Sequence, residues 1–137
     1  MGLHRSDRAA LEEVCVFCDR IAAGQFIAQN RKVVAISDAY PISPGHTLIV
    51  PRRHEADFFQ LTPDEQRAML DLLPDVRGIL DGRWEPDGYN LGVNVGDAAG
   101  QTVSHAHLHV IPRYVGDVAE PRGGVRWLIP GRAAYWP

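Results

Sequence analysis

The sequence predicts an antiparallel α+β domain, and three observations carry that expectation. A short helix, three β-rich segments, one long helix and two further β-rich segments follow one another in that order. Consecutive strands lack the intervening helices that a parallel sheet needs for its crossovers. The chain has 137 residues, 45% of them hydrophobic and 23% charged, which suits one globular domain.

Leu11 to Ala23 has helix-forming composition interrupted by Cys15 and Cys18, and Gly24 stands where the helix should stop. Phe26 to Gln29 and Val33 to Asp38 read as strands, with Asn30-Arg31 between them as a hairpin turn. Tyr40 to His46 carries two prolines and a glycine and reads as a loop, after which Thr47 to Val50 is a buried strand ended by Pro51.

The long helix opens at Thr62-Pro63-Asp64-Glu65, with Thr62 as N-cap, Pro63 in the first helical position and Glu65 placed to complete a capping box. Met69, Leu70, Leu73, Val76, Ile79 and Leu80 recur at three and four residues as a buried stripe. Pro74 lies within it and predicts a kink or a break. Asp87-Gly88 is a turn, Tyr89 to Val95 a strand, Gly96 to Ser104 a glycine-containing loop and His105 to Pro112 a strand. The tail from Tyr114 to Pro137 has little periodicity and holds two of the three tryptophans.

Charge and composition exclude several roles. Fourteen basic against seventeen acidic residues leave a net charge of −3, so the broad positive field that gathers nucleic acid or coats an anionic membrane is missing. No apolar run approaches the roughly 18 residues of a spanning helix, and the first residues are too polar for a secretory signal. A cytoplasmic protein is expected. Two cysteines spaced C-x-x-C are too few for a secreted disulfide scaffold and point to metal or redox chemistry in a reducing compartment.

The most specific feature is His105-Ala106-His107-Leu108-His109-Val110-Ile111. On a strand, period two puts the three imidazoles on one face, roughly 6.8 Å apart, and Ala106, Leu108 and Val110 on the other. Random placement of six histidines yields such a triplet on the order of 1% of the time. The triplet suits either a metal site or imidazole chemistry, and no flanking carboxylate or further histidine completes a catalytic metal site, which favours the imidazoles. Asn94 to Ser104 supplies glycines, amide and hydroxyl donors, and backbone N–H groups able to form an anion-binding nest. A phosphate beside an imidazole is the natural inference.

Gly100-Gln101-Thr102-Val103-Ser104 followed by the three histidines, Pro112 and Arg113 resembles the signature of the histidine triad (HIT) family of nucleotide hydrolases and nucleotidyl transferases. Cys15-Val16-Phe17-Cys18, the segment from Asp38 to His46 and Pro51-Arg52-Arg53-His54 resemble further family landmarks, so the likeness runs from about Val14 to Arg113. It implies a HIT-like fold over residues 14–113, with 1–13 as an N-terminal extension and 114–137 as a tail packed on the domain.

By this resemblance His107 is the nucleophile that attacks the α-phosphorus of a nucleotide, forming a nucleotidyl-histidine that water releases. An ordinary imidazole, with a pKa of about 6.5, is roughly three-quarters neutral at pH 7 and so offers a lone pair without a strong base. The resemblance also implies that His109, Asn94, Gln101 and backbone N–H groups near Thr102 and Val103 bind the α-phosphate, with Thr102 aiding the leaving group. Asp38 matches the carboxylate that takes the ribose hydroxyls, or is a turn residue before Pro41; Phe17 and Ile21 line a base pocket, or belong to the core.

Similar bacterial proteins complete a structural Zn²⁺ site, here Cys15, Cys18, His54 and His105, with redox activity or idle thiols as the alternatives. A homodimer with the sheet continued across its two-fold axis is implied too. The substrate is then an adenylylated compound, a dinucleoside polyphosphate or a nucleoside phosphoramidate, with no catalytic metal, no nucleic acid and no membrane as partner. Rival readings are a nucleotidyl transferase or phosphorylase, a nucleotide-binding interaction module with incidental turnover, and a zinc hydrolase that uses the triad as ligands. In the tail, Arg122 and Arg126 either hold additional phosphates or are ordinary surface arginines.

Overall fold

The structure is a computed structural model describing residues 14–137. The expected N-terminal extension over 1–13 and the start of the helix expected from Leu11 lie outside the described residues. Helix α1 spans Val16–Ala22. Strands β1 (Ala28–Gln29), β2 (Val33–Ser37) and β3 (Thr47–Pro51) follow, then helix α2 (Pro63–Trp84), β4 (Gly88–Val93) and β5 (Leu108–Arg113). The five strands form one sheet in the order β1-β2-β3-β5-β4 with every neighbouring pair antiparallel, so the α+β expectation holds.

The hairpin between β1 and β2 turns on Asn30, whose side-chain oxygen accepts the N–H groups of Lys32 and Val33 at 3.1 and 3.0 Å. Cys15 caps α1, its sulfur accepting the Cys18 N–H, and Gly24 leaves the helix at φ +68, which favours glycine. The capping box of α2 is complete: Glu65 N–H reaches the Thr62 hydroxyl at 3.1 Å while the Glu65 carboxylate accepts the Thr62 N–H at 2.9 Å. Arg53 grips the same buried carboxylate and holds it down to about 2.

α2 covers one face of the sheet, where Met69, Leu72, Val76 and Leu80 pack on Val33, Ala35, Ile49, Leu108 and Val110. Full burial of such side chains stabilises by about 1.5–3 kcal/mol each. On the opposite face α1 brings Cys15 and Phe17 against Val34, Ile36, Leu48 and Val50. The second layer is short, and among the described residues no α-helix covers that face of β4 and β5.

Four expectations need correction. Leu70 is 61% exposed and Leu72 takes its place in the stripe, because at 3.6 residues per turn Leu70 points about 100° away from Met69. Pro74 does not break α2, which runs unbroken for 22 residues; Pro74 and Leu70 both lie on the exposed side, where water can serve the Leu70 carbonyl that proline leaves without its donor. β1 and β4 are shorter than expected. β5 begins at Leu108, so His105 and His107 precede it; β4 has already ended at Val93, and the Ala106 N–H donates to the Glu55 carbonyl at 2.6 Å.

Candidate functional site

The alternation expected of the histidine segment survives the late start of β5. Ala106, Leu108 and Val110 enter the core beneath α2, while the rings of His107 and His109 lie on the other side with centroids 5.0 Å apart. His107 is 7% exposed, and its Nδ1 lies 2.8 Å from the His105 carbonyl. A carbonyl only accepts, so Nδ1 carries the hydrogen and Nε2 of the neutral ring keeps its lone pair.

Register explains the next layer. Leu48 of β3 is paired with His109 of β5, so His46, two residues before Leu48, falls on the same face as His109. His46 Nε2 lies 2.9 Å from His109 Nδ1, and His46 Nδ1 accepts the Ile42 N–H at 3.2 Å. The proton of neutral His46 therefore sits on Nε2 and is donated to His109, whose own proton is left on Nε2. Asp38 stands 3.4 Å from His46 Nε2.

Burial pushes His46 down, opposed by the Asp38 carboxylate, and pushes His109 down to about 4, since a positive charge there would also be repelled by any charge on the adjoining imidazoles. Both rings are neutral at pH 7, as the tautomer chain requires. His46 was not among the site residues expected from sequence, and its pairing depends on a contact 63 residues away.

The loop from Asn94 to Ser104 is held by Gln101. Its Oε1 accepts the Gly96 N–H at 3.0 Å, and its Nε2 donates to the carbonyls of Ala56 at 2.7 Å and Val103 at 3.0 Å. The side chain that the resemblance assigns to phosphate thus braces its own loop in this structure. Gly96 and Gly100 stand at φ +84 and +86, the left-handed conformations that glycine permits. Thr102 is exposed, and Asn94 lines an open cleft beside His109.

On the other flank of His107, the four expected metal ligands come together. The His105 ring, fully buried, has Nε2 at 2.7 Å from the Pro51 carbonyl, so Nδ1 carries the lone pair. That Nδ1 lies 3.4 Å from Cys15 Sγ and 3.5 Å from Cys18 Sγ, and His54 Nδ1 lies 3.4 Å from Cys18 Sγ. All four donor atoms fall within 4.8 Å of one another. A tetrahedral Zn²⁺ with bonds of about 2.3 Å to sulfur and 2.0–2.1 Å to nitrogen has S–N edges of about 3.5 Å, so the cluster fits zinc. Burial, with Cys15 alongside, pushes the Cys18 thiol up to about 11; a bound cation would reverse this by favouring the thiolate. Burial lowers His105 as well.

Asp38, His46 and His109 also cluster within 4.8 Å. Their chemistry differs, because a proton lies between the two imidazoles and the Ile42 N–H takes the remaining nitrogen of His46. The expected base-pocket residues sit at the α1 side: Phe17 is 6% exposed and edge-on to His107 at 5.1 Å, and Ile21 packs on the same cluster. Both contribute to core packing.

The tail folds over β4. Gly124 approaches so closely that an added Cβ would lie 3.3 Å from the Asn90 amide. Between tail and sheet lies a cleft of about 1120 Å³ that opens on His46 and His109. Arg122 and Arg126 are both engaged within the tail. Arg122 pairs with Glu120 at 3.0 Å and stacks on Trp136, while Arg126 donates to the carbonyls of Ala133 and Arg132 and stacks on Tyr135. No helix of the described residues is long and apolar enough to cross a membrane.

Comparison with known proteins gives a consistent result. The HIT domain family model matches residues 20–116. An uncharacterized HIT-like protein of Mycoplasma genitalium is 38% identical over 104 residues, 73% of each chain. A crystal structure of a zinc-bound histidine triad family protein from Mycobacterium smegmatis superposes with a TM-score of 0.71 at 32% identity, covering 80% of this chain and 81% of the other. An AP-4-A phosphorylase of Mycobacterium tuberculosis is 33% identical over 95 residues, 69% of this chain but 49% of the phosphorylase.

Proposed function

The chain belongs to the HIT domain family, whose members include enzymes acting on nucleotides, and from that premise we propose that it is a hydrolase cleaving adenylylated substrates at the α-phosphate through a nucleotidyl-histidine. The observation that carries this reading is the His107 ring, whose Nδ1–H is held by the His105 carbonyl while Nε2 keeps its lone pair. Nε2 attacks the α-phosphorus, and the bond from phosphorus to the leaving group breaks with its electron pair on the leaving group, which takes up a proton. Water then attacks the same phosphorus, the bond to Nε2 breaks, and the nucleoside monophosphate departs.

His109 serves as a neutral donor through Nε2–H to a phosphate oxygen, with its tautomer set by His46. Asn94 and the backbone N–H groups near Thr102 and Val103 complete the cradle, and Gln101 keeps that loop in place. Asp38 accepts the ribose hydroxyls, and Phe17 and Ile21 border the base.

Cys15, Cys18, His54 and His105 hold zinc in this reading, where a closed set of four ligands cross-links α1 to the sheet and leaves no open coordination position. The His105 ring and carbonyl then serve the two flanks separately. We further propose a homodimer joined along β4, the edge strand of the sheet, and a cytoplasmic location where the two cysteines stay reduced and able to hold the metal.

The test is turnover of a panel of adenylylated compounds by wild type and His107→Ala, with a loss of several orders of magnitude and retained binding expected. The named activity of the Mycobacterium tuberculosis relative favours a second reading, in which inorganic phosphate replaces water at the intermediate. A nucleoside diphosphate formed only when phosphate is present would select it.

A further inference from the structure

We propose that Cys15 and Cys18 are a site of reversible oxidation, closing into a disulfide when hydrogen peroxide meets the protein, and that this bond slackens the hold on His107 and lowers nucleotide transfer. The effect on turnover rests on the functional reading above; the bond and the slackened ring do not.

The pair is placed to bond. Cys15 caps α1 and Cys18 lies one turn later, with its N–H reaching Cys15 Sγ at 3.4 Å. Both sulfurs face His105 Nδ1, at 3.4 and 3.5 Å, and they fall within 4.8 Å of each other. A disulfide brings sulfurs to about 2.05 Å. Closing that gap asks for side-chain rotation and a small shift of Cys15, which stands outside the helix at φ −125, ψ 116. These are the only cysteines in the sequence, so the bond has no competitor within the chain.

Access is unequal. Cys15 is 5% exposed, whereas Cys18 is half-buried, so peroxide meets Cys18 first. The Cys18 thiolate, the form that a metal ligand takes, attacks one peroxide oxygen. The O–O bond breaks with its electron pair on the departing hydroxide, which takes a proton to become water, and Cys18 is left as a sulfenic acid. The Cys15 thiolate then attacks that sulfur, the S–O bond breaks, and a second hydroxide is protonated to water. The two thiolates lose two electrons and the peroxide gains them. His54 and His105 remain as half of a four-ligand set, which no longer holds zinc.

Two contacts connect the pair to His107. His105, whose ring faces both sulfurs, is also the residue whose carbonyl holds His107 Nδ1 at 2.8 Å. Phe17 lies between the two cysteines and stands edge-on to His105 at 5.9 Å and to His107 at 5.1 Å. Drawing the sulfurs together moves the turn that carries Phe17 and removes their grip on the His105 ring. The Nε2–H tautomer of His107 then competes, and in that tautomer Nε2 has no lone pair to offer phosphorus.

The experiment titrates the zinc-loaded full chain with hydrogen peroxide. Intact mass and peptide mapping follow the Cys15–Cys18 bond, a chromogenic chelator follows released zinc, and long-range proton–nitrogen spectra follow the His107 ring. Disulfide and released zinc should rise together while His107 passes from one fixed tautomer to averaging between two. Turnover should fall at least about tenfold, as misplacing a catalytic imidazole's proton does, and dithiothreitol followed by zinc should restore it. Cys18→His keeps a nitrogen ligand and cannot form the bond, so peroxide should leave its zinc and its turnover near their untreated values. Should that variant fail to fold, wild type stripped by a chelator while reduced supplies the comparison: it recovers on zinc alone, whereas the oxidised protein needs the reductant first.

Oxidation that runs to sulfinic acid without a disulfide, a disulfide that leaves the His107 ring fixed, or recovery of the oxidised protein on zinc alone would overturn the proposal. No nucleotide turnover by the reduced protein would overturn the functional reading alone, because the bond, the released zinc and the ring spectrum are read without it.

Discussion

Two histidine clusters flank His107, and they do opposite things with the same side chain. In the first, His105 Nε2 donates to the Pro51 carbonyl, which turns an unshared pair on Nδ1 toward two sulfurs at 3.4 and 3.5 Å. In the second, the Ile42 N–H claims Nδ1 of His46, which puts a proton on Nε2 and sends it to His109 at 2.9 Å. One cluster gathers lone pairs and suits a cation; the other is a chain of donors suited to a phosphate oxygen. The backbone partner of each ring, and not the residue type, determines which it becomes.

The largest expected break in this contrast is at the sulfur side. Cys15→Ser with Cys18→Ser should abolish bound zinc, measured by metal analysis, and lower the thermal midpoint far more than substitutions in the second cluster, because metal binding contributes directly to folding. Loss of the second cluster should instead appear in turnover. His109→Ala is expected to lower kcat on the order of 10²–10³-fold, as removal of a donor to a developing oxyanion does, with zinc content unchanged. His46→Ala should follow with a smaller loss, and His46→Gln, which restores an N–H donor, should recover part of it; equal losses in both variants would remove His46 from the relay.

The pH dependence of stability sharpens the same contrast. His109 is held to about 4 in the folded protein against an ordinary value of about 6.5, so between these values the unfolded chain binds a proton that the folded chain refuses. Stability should therefore fall as the pH drops from about 6.5 toward 4, and His109→Asn should flatten this slope in denaturant titrations. Away from both clusters, Thr62→Ala removes one half of the capping box and should cost about 1 kcal/mol with no effect on metal or turnover.

Much of this architecture is legible in the sequence where a local rule governs. The capping box at Thr62 and Glu65, the hairpin at Asn30 and the buried runs of β2 and β3 follow from residue type and spacing. The four side chains that the family resemblance offers as metal ligands lie together, with donor atoms within 4.8 Å of one another. Rules that depend on a distant partner are harder to read. The start of β5 is set by where β4 ends, His46 meets His109 only through the β3–β5 register, and Gln101 turns inward because the Ala56 carbonyl lies within reach. Leu70 and Leu72 differ by 200° of helical rotation, a distinction that a list of apolar positions blurs and the angle resolves. The arginines of the tail look available in sequence, yet their partners are carbonyls and a carboxylate supplied by the tail's own folding.

The central claim is that His107 Nε2 forms a bond to phosphorus. Rapid quenching of the protein with an adenosine phosphoramidate, followed by peptide mapping by mass spectrometry under alkaline conditions, tests it directly. The account predicts a nucleotidyl group on the peptide containing His107 and located on that residue, absent in His107→Ala. A nucleotidyl group on another side chain, or full turnover by His107→Ala, would contradict it.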